Sequence, residues 1–505
     1  MSSILLATLN AQYIHASLGL RYLLANLGEL RERAALCEFI IDQRPIDIVE
    51  KILAREPAIV GLGVYIWNVT ECTEVVALLK QVRPDIVVVL GGPEVSYECD
   101  EQRIVQLADY VVTGQADVAF ADLCRRVLVG ERPAEKIIRA DVPKLEQLEL
   151  PYRYYSDEDI AKRLIYVEAS RGCPFKCEFC LSSLDKTSWP FALERFLGEM
   201  QTLYERGARH FKFVDRTFNL NVKASQRILD FFLERMTPDL FVHFEIIPDH
   251  LPEALKETIA KFPIGALQFE IGIQTLNTEV QANISRKQDD AKTATNLRWI
   301  SEHTHAHIHA DLIIGLPGES VESFAQGFNR LVALDPHEVQ VGILKRLRGT
   351  PIVRHNSAFD MRYNPEPPYN ILATNLIDFL TMQRLSRFAR YWGMIANSGR
   401  FVHTMPLMLS DDPFARFLRF SDWLYATTGQ THKFAQDRLF DFVFDGMTQL
   451  HGVDAETARA ALTRDYHETG ARGAPKFLAV TPPAPRKSEP SQHSNTRRQA
   501  LHRRE

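Results

Sequence analysis

EASRGCPFKCEFCLSS, residues 168–183, sets Cys173, Cys177 and Cys180 in C-x3-C-x2-C spacing. The run follows directly on LIYVEAS (164–170), whose apolar alternation predicts a strand. Three thiolates on one short loop can each hold one iron of a 4Fe-4S cube, and thiolate is the soft ligand such clusters take, usually four per cluster. A shortage of one leaves an iron open. A small molecule with an amine and a carboxylate can chelate that iron, and S-adenosylmethionine (SAM) carries both on its methionine end. Gly172 gives the loop backbone freedom, Pro174 gives it stiffness, and Lys176 offsets cluster charge. A structural zinc site is the competing reading. Zinc wants a fourth ligand, and after Cys180 no Cys or His follows until His210. The remaining cysteines, Cys37, Cys72, Cys99 and Cys124, read as buried apolar residues.

Working outward, LIYVEAS is the first of six strand candidates. The others are HFKFVD (210–215), FVHFEII (241–247), LQFEIG (267–272), HIHADLIIG (307–315) and EVQVGIL (338–344). The first five are each followed by a helix-like stretch. Six β/α units are too few for a closed eight-stranded barrel and predict a partial (β/α)6 TIM-type barrel over 164–353, with its chemistry at the C-terminal strand ends. Residues 1–140 show five more strands, SILLATL (3–9), LCEFII (36–41), AIVGLGVY (58–65), DIVVVLGG (85–92) and YVVTG (110–114), separated by helical patterns. Val- and Ile-rich runs with crossovers predict a doubly wound, flavodoxin-like parallel sheet whose ligand sits at the strands' carboxyl ends. The fold class is thus α/β. Residues 141–163 read as a polar linker, 354–478 as a mostly helical region, and the Pro-, Ser- and Arg-rich stretch 479–505 as a disordered basic tail. In HTHAHIH (303–309) a histidine recurs at every second position, which on a strand would put all four on one face.

The cysteine spacing after the first strand of a partial barrel, with aromatic Phe179 before the last cysteine, resembles the radical SAM superfamily. The strings FVDRTFNLN (213–221), FEIIPD (244–249), FEIGIQTLN (269–277) and DLIIGLPGES (311–320) resemble its subgroup with an N-terminal cobalamin-binding domain. The resemblance implies that Asp215, Glu245, Glu270 and Gln274, at strand ends, help to bind cofactor. VDRTFN stands where the superfamily usually carries Gly-Gly-Glu. In the first domain the implied cobalamin loops are LNAQYIHASLG (with Asn10, Tyr13 and His15), VYIWN (Tyr65 and Trp67), GGPEVS (Gly91, Gly92 and Glu94) and GQADVAF (Gly114). His15 is the candidate axial ligand to cobalt. Tyr13 occupies the place of the aspartate that orients such a histidine in other cobalamin proteins, and the spacing from His15 to Gly19 is one residue longer than theirs.

The resemblance implies that the reduced cluster passes an electron to SAM, yielding a 5′-deoxyadenosyl radical that abstracts substrate hydrogen. Methylation of an unactivated centre from methylcobalamin is the leading expectation. Ring formation or oxidation without methyl transfer, and a non-catalytic cobalamin sensor, are the alternatives. The implied partners are a small-molecule substrate and a low-potential electron donor such as flavodoxin or ferredoxin. With 59 basic and 64 acidic residues the net charge is −5, which argues against nucleic acid bound by bulk charge. No apolar run reaches the ~18–20 residues that span a bilayer, and MSSILLATLNAQ lacks the features of a secretory signal, so the sequence reads as a cytoplasmic protein without a membrane partner.

Overall fold

The computed structural model describes residues 3–478, so the stretch 479–505, expected to be disordered, lies outside the described residues. Strands β1 (Ile4–Asn10), β2 (Ala34–Ile40), β3 (Ile59–Gly63), β4 (Val87–Gly91), β5 (Tyr110–Thr113) and β6 (Ile137–Arg139) form one parallel sheet in the order β2-β1-β3-β4-β5-β6. All seven residues of β1 are buried, the pattern of a strand covered on both faces. The order reverses at β1, so a crevice opens there between the β1 and β3 carboxyl ends, where doubly wound sheets bind ligands. The sixth strand is an addition to the five expected. Its three residues, IIR, are too short to show an alternation.

A second parallel sheet contains β7 (Ile165–Val167), β10 (His210–Phe213), β11 (Phe241–Ile246), β12 (Leu267–Gln274), β13 (His307–Ile314) and β14 (Glu338–Ile343), in sequential order. This is the partial barrel. Between its first two strands a short hairpin pairs β8 (Ser170–Arg171) with β9 (Trp189–Pro190) around the cysteine loop. The histidine run does not share one strand face. A helix ends at His303, and only His307 and His309 lie on β13, beside Glu338 and Asp311 respectively.

The stretch 141–163 is more than a polar tether. Tyr152 and Tyr155 are fully buried, and their hydroxyls donate to the carbonyls of Glu168 and Tyr166 on the first barrel strand and its exit. Asp159, third residue of the short helix Asp157–Lys162, completes a capping box with Ser156 and pairs at 2.8 Å with Arg21, itself 2% exposed, which also holds Glu38 at 2.8 Å. Arg163 reaches the same two acids at 3.1 and 3.4 Å, so two guanidiniums meet two carboxylates, and loss of either acid leaves positive charge uncovered.

An open barrel has two raw edges. On the β7 side, the Leu164 amide donates to the Ile14 carbonyl, and His15 bridges to Leu164. On the β14 side, the Asn397 side chain imitates a strand: Oδ1 accepts from the Val339 amide at 3.1 Å and Nδ2 donates to its carbonyl at 2.8 Å. Asn397 follows the helix Phe379–Met394, which packs on β14 and meets the helix Pro413–Thr428 through Phe388, Trp392, Phe414 and Phe417, against which Phe328 of the helix Val321–Val332 also packs. Asp378, Asp412 and Asp454 cap three of the C-terminal helices by accepting amides three residues on. Among the described residues no helix is long and apolar enough to cross a membrane.

Asn397→Ala leaves a buried strand amide and carbonyl without partners. The expected cost is about 2–3 kcal/mol, read as a lower urea midpoint with an unchanged m-value. A midpoint within error of wild type would refute the edge-capping role.

Candidate functional site

Two cavities lie at the carboxyl ends of the two sheets, and Arg216 lines both. The larger, about 480 Å³, sits between the first sheet and the start of the barrel. Seven of its lining residues are glycines, among them Gly63, Gly91, Gly92 and Gly114 at the ends of β3, β4 and β5. At Gly92 (φ 109°) a Cβ would meet the Val64 carbonyl oxygen at 2.4 Å, so no side chain fits there. A slot whose floor is bare backbone, with Tyr65 on its wall, suits a broad flat ligand such as a corrin.

The smaller cavity, about 230 Å³, gathers Cys173, Cys177, Phe179 and Cys180 with Glu245, Glu270, Gln274 and Asp311 from the barrel strands, and with Arg286. All three cysteines are free thiols. Burial pushes the Cys173 and Cys177 thiols up, opposed at Cys177 by Arg286, whose Nη1 lies 3.6 Å from the sulfur. Their sulfurs are not drawn together as one ion would need. Among the described residues only His403, Asp465 and Glu468 bring three donor atoms within 4.8 Å of one another. Three separated thiols with no histidine and no fourth cysteine on the cavity wall fit a cluster with one open iron, not a closed zinc site.

Local chemistry builds the loop. Gly172 (φ 91°) passes so close to Thr187 that a Cβ would lie 2.2 Å from its carbonyl oxygen. The Cys173 amide donates to Asp185, and Ser183 Oγ donates to the carbonyls of Cys177 and Cys180. Arg171 binds Asp117 of the first domain at 2.9 Å and Glu168 at 2.8 Å, and lies over the Tyr22 ring. The charges of the barrel mouth are paired. Arg216 Nη1 bonds Glu245 at 2.6 Å, and burial raises the Glu245 carboxyl in spite of that partner. Burial would also raise Glu270, but the His243 ring nitrogen 3.2 Å away and the Lys212 ammonium hold it well below the carboxylate range. Asp311 is pushed up by burial and by the Glu270 and Glu245 charges, with His309 Nε2 3.4 Å from its carboxyl.

The expected site residues divide. Tyr65, Gly91, Gly92 and Gly114 line the larger cavity; the cysteines, Phe179, Glu245, Glu270 and Gln274 line the smaller. Asp215 lines neither. It is 3% exposed and accepts from the Ala169 amide and Ser170 Oγ, fixing the strand end that launches the cysteine loop, with its carboxyl raised to about 7 by burial. His15 is not on the larger cavity's wall: its Nδ1 lies 2.7 Å from the Tyr166 hydroxyl at the barrel edge, because the loop that carries it caps β7. Asn10 bonds the His15 carbonyl, and Tyr13 bonds Glu158. Trp67 stacks on Tyr65 at 4.4 Å, one ring removed from the cavity. Glu94 is buried against Arg348 and Tyr369, a contact between domains. Sequence reading missed Arg286 altogether. ISRKQDD gives a lone arginine no pattern, and only the fold brings it to Cys177.

The B12 binding domain family matches residues 4–124, the radical SAM superfamily residues 167–331, and a family described as protein of unknown function (DUF4080) residues 357–504. The uncharacterized methyltransferase PH0819 of Pyrococcus horikoshii is 28% identical over a match covering 41% of this chain and 50% of its own length. The cobalamin-dependent radical SAM methyltransferase TokK of Streptomyces tokunonensis is 24% identical, covering 64% of this chain and 53% of its own. The chain thus spans about half the length of these curated relatives. The solved structure of OxsB, a cobalamin-dependent SAM radical enzyme with aqua-cobalamin and SAM bound, covers 99% of this chain and 83% of its own at TM-score 0.62 and 14% identity, a likeness of fold.

Gln274 enters the smaller cavity in a left-handed conformation (φ 71°), just past a bulge at Gly272. Its neighbour Thr275 donates at 2.6 Å to Glu319, which is 2% exposed and whose Oε2 has no hydrogen-bond partner. Burial raises the Glu319 carboxyl from 4.5 to about 7 against the Thr275 and Ser323 hydroxyls. Between those values the unfolded chain releases this proton and the folded chain keeps it, so stability falls as pH rises through the window, by about 1.4 kcal/mol per pH unit from this group, and levels off above it. Glu319→Gln should remove that slope. Urea midpoints of both proteins at pH 5.5 and 7 check it, and parallel pH dependences would refute the assignment.

Proposed function

We propose that the chain is a cobalamin-dependent radical SAM methyltransferase acting on an unactivated centre of a small molecule, a reading supported by the match of residues 167–331 to the radical SAM superfamily and of residues 4–124 to the B12 binding domain family. The observation that carries this reading is the meeting of the two cavities at Arg216. A substrate held there lies between the cysteine loop and the glycine-floored slot. The methyltransferase names of PH0819 and TokK support it.

In this reading Cys173, Cys177 and Cys180 hold the cluster. Phe179, Glu245, Glu270, Gln274 and Arg286 surround SAM, and Tyr65, Gly91, Gly92 and Gly114 surround the corrin. When bound, the cluster with SAM supplies a hydrogen-abstracting radical, and cobalamin supplies a transferable methyl group. The chain's own contribution is placement and exclusion. The Arg216–Glu245 pair keeps a charged, oriented wall between the cavities. Glu270 is paired with Lys212 and lies 3.2 Å from the His243 ring, which orients it at the barrel floor. The interdomain contacts of Arg171 close one side of the slot against water, as radical chemistry demands. A low-potential donor such as flavodoxin or ferredoxin completes the scheme.

Anaerobic reconstitution with iron, sulfide and hydroxocobalamin, followed by metal analysis, should give about four irons and one cobalt per chain. The triple variant Cys173→Ala/Cys177→Ala/Cys180→Ala should lose the iron and keep the cobalt. With SAM and a strong reductant the loaded wild type should release 5′-deoxyadenosine and the variant none. Iron without cobalt would sink the cobalamin half of the reading; a loaded protein that yields no deoxyadenosine would sink the radical half.

A further inference from the structure

Glu178 sits inside the cysteine loop, between Cys177 and Cys180, with a side chain only 3% exposed. Every polar group it owns is engaged by chain far away in sequence. Its amide donates to the Ile284 carbonyl and its carbonyl accepts from the Ile352 amide, both at 3.1 Å. One carboxylate oxygen accepts from Ser285 Oγ and from Arg354 Nη2; the other lies 2.9 Å from His355 Nε2. Ile352, Arg354 and His355 belong to the turn Pro351–His355, just past the barrel's last strand.

A mechanical tie would need no charge, since the two backbone bonds already hold the loop, and a serine or amide could add a third. A buried carboxylate is costly unless covered, and here a guanidinium covers it. Its place matters because the potential of an iron–sulfur cluster responds to net charge and hydrogen bonding around its ligands. An uncovered carboxylate one residue from Cys177 would disfavour adding an electron; an uncovered guanidinium would favour it.

We propose, resting on the cluster assignment above, that Glu178 and Arg354 form a charge-compensated clasp on the cysteine loop that sets the reduction potential of the cluster. Both are positioning residues. The clasp acts through Cys177 and Cys180 and touches no substrate.

The test is potentiometric titration of the reconstituted full-length holoprotein, without SAM, following the reduced cluster by electron paramagnetic resonance. Glu178→Gln leaves Arg354 uncovered, so its midpoint should rise above wild type. Arg354→Gln removes the guanidinium and leaves Glu178 held by Ser285 and His355, so its midpoint should fall. In the double variant the two shifts should largely cancel, with iron content near four per chain, as in wild type. Shifts of the same sign, or no shift in Arg354→Gln, overturn the clasp. Should Glu178→Gln fail to hold iron, Arg354→Gln decides alone, because its side chain is 58% exposed and its loss leaves the fold intact. A fall in its midpoint supports the proposal and any other result refutes it. Wild type without a cluster signal would instead defeat the iron–sulfur reading on which the clasp rests.

Discussion

A parallel sheet of six strands that curves without closing leaves an edge of unpaired amides and carbonyls on either side, and the rest of this molecule is arranged around that constraint. Edge strands must be covered or blunted. Here the β7 edge is met by Ile14 and His15 from the first domain, and the β14 edge by Asn397 from the helical region. The flanking regions are therefore structural partners of the barrel. Their polar backbone and side-chain groups replace the strands that an eight-stranded barrel would supply. An open barrel gains room at its mouth, and that room holds both cavities.

Electrostatics inside the mouth follow from the same openness. A closed barrel is filled with layers of apolar side chains, but this one admits Lys212, Arg216, His243, Glu245, Glu270 and Asp311 at or near its cavities. Lys212 pairs with Glu270 and Arg216 with Glu245, and burial with those two carboxylate charges pushes the Asp311 carboxyl up beside His309. Arg216 is half exposed by surface area although it lies deep in the molecule, because the surface it borders is the wall of two internal voids. A guanidinium held by one nitrogen on Glu245 keeps its orientation at a point where two ligands would meet.

What the sequence disclosed, and what it withheld, follows contact distance along the chain. The three cysteines were legible because a cluster loop is local: spacing, glycine and preceding strand all fall within a dozen or so residues. Eleven of the twelve strands of the two large sheets were legible as apolar runs, and only the three-residue β6 was not. The partners of side chains placed by remote contacts were not legible. Glu94, in a glycine turn at a strand end, looked like a ligand-binding residue, but Arg348 lies 254 positions away and claims it. His15 looked like a metal ligand from its place after β1, yet its neighbour is Tyr166, 151 positions on. Asp215 occupies a strand end as expected, and its oxygens are used up holding Ala169 and Ser170. No local pattern encodes such pairings, because a polar residue beside a strand end looks the same whether it binds a ligand or a neighbouring domain.

The segment from Leu344 to His355 shows how these remote pairings combine. At one end Arg346 and Arg348 bond Glu98 and Glu94 of the first domain, and Gly349 packs so tightly on Tyr97 that a Cβ would lie 2.3 Å from its ring. At the other end the turn Pro351–His355 grips Glu178 in the cysteine loop. One short stretch of chain therefore fixes the wall of the larger cavity and the floor of the smaller against a common frame. Transfer between two bound groups requires placement to within a fraction of an ångström, and scaffold elements locked by surrounding contacts supply such precision better than free loops. Both cavity walls include loop residues, and a strap with ion pairs at either end gives those loops the rigidity of a scaffold. The glycine turn after β4 and the acid within the cysteine loop thus belong to one device, the first gripping the strap from the side of the larger cavity and the second from the side of the smaller.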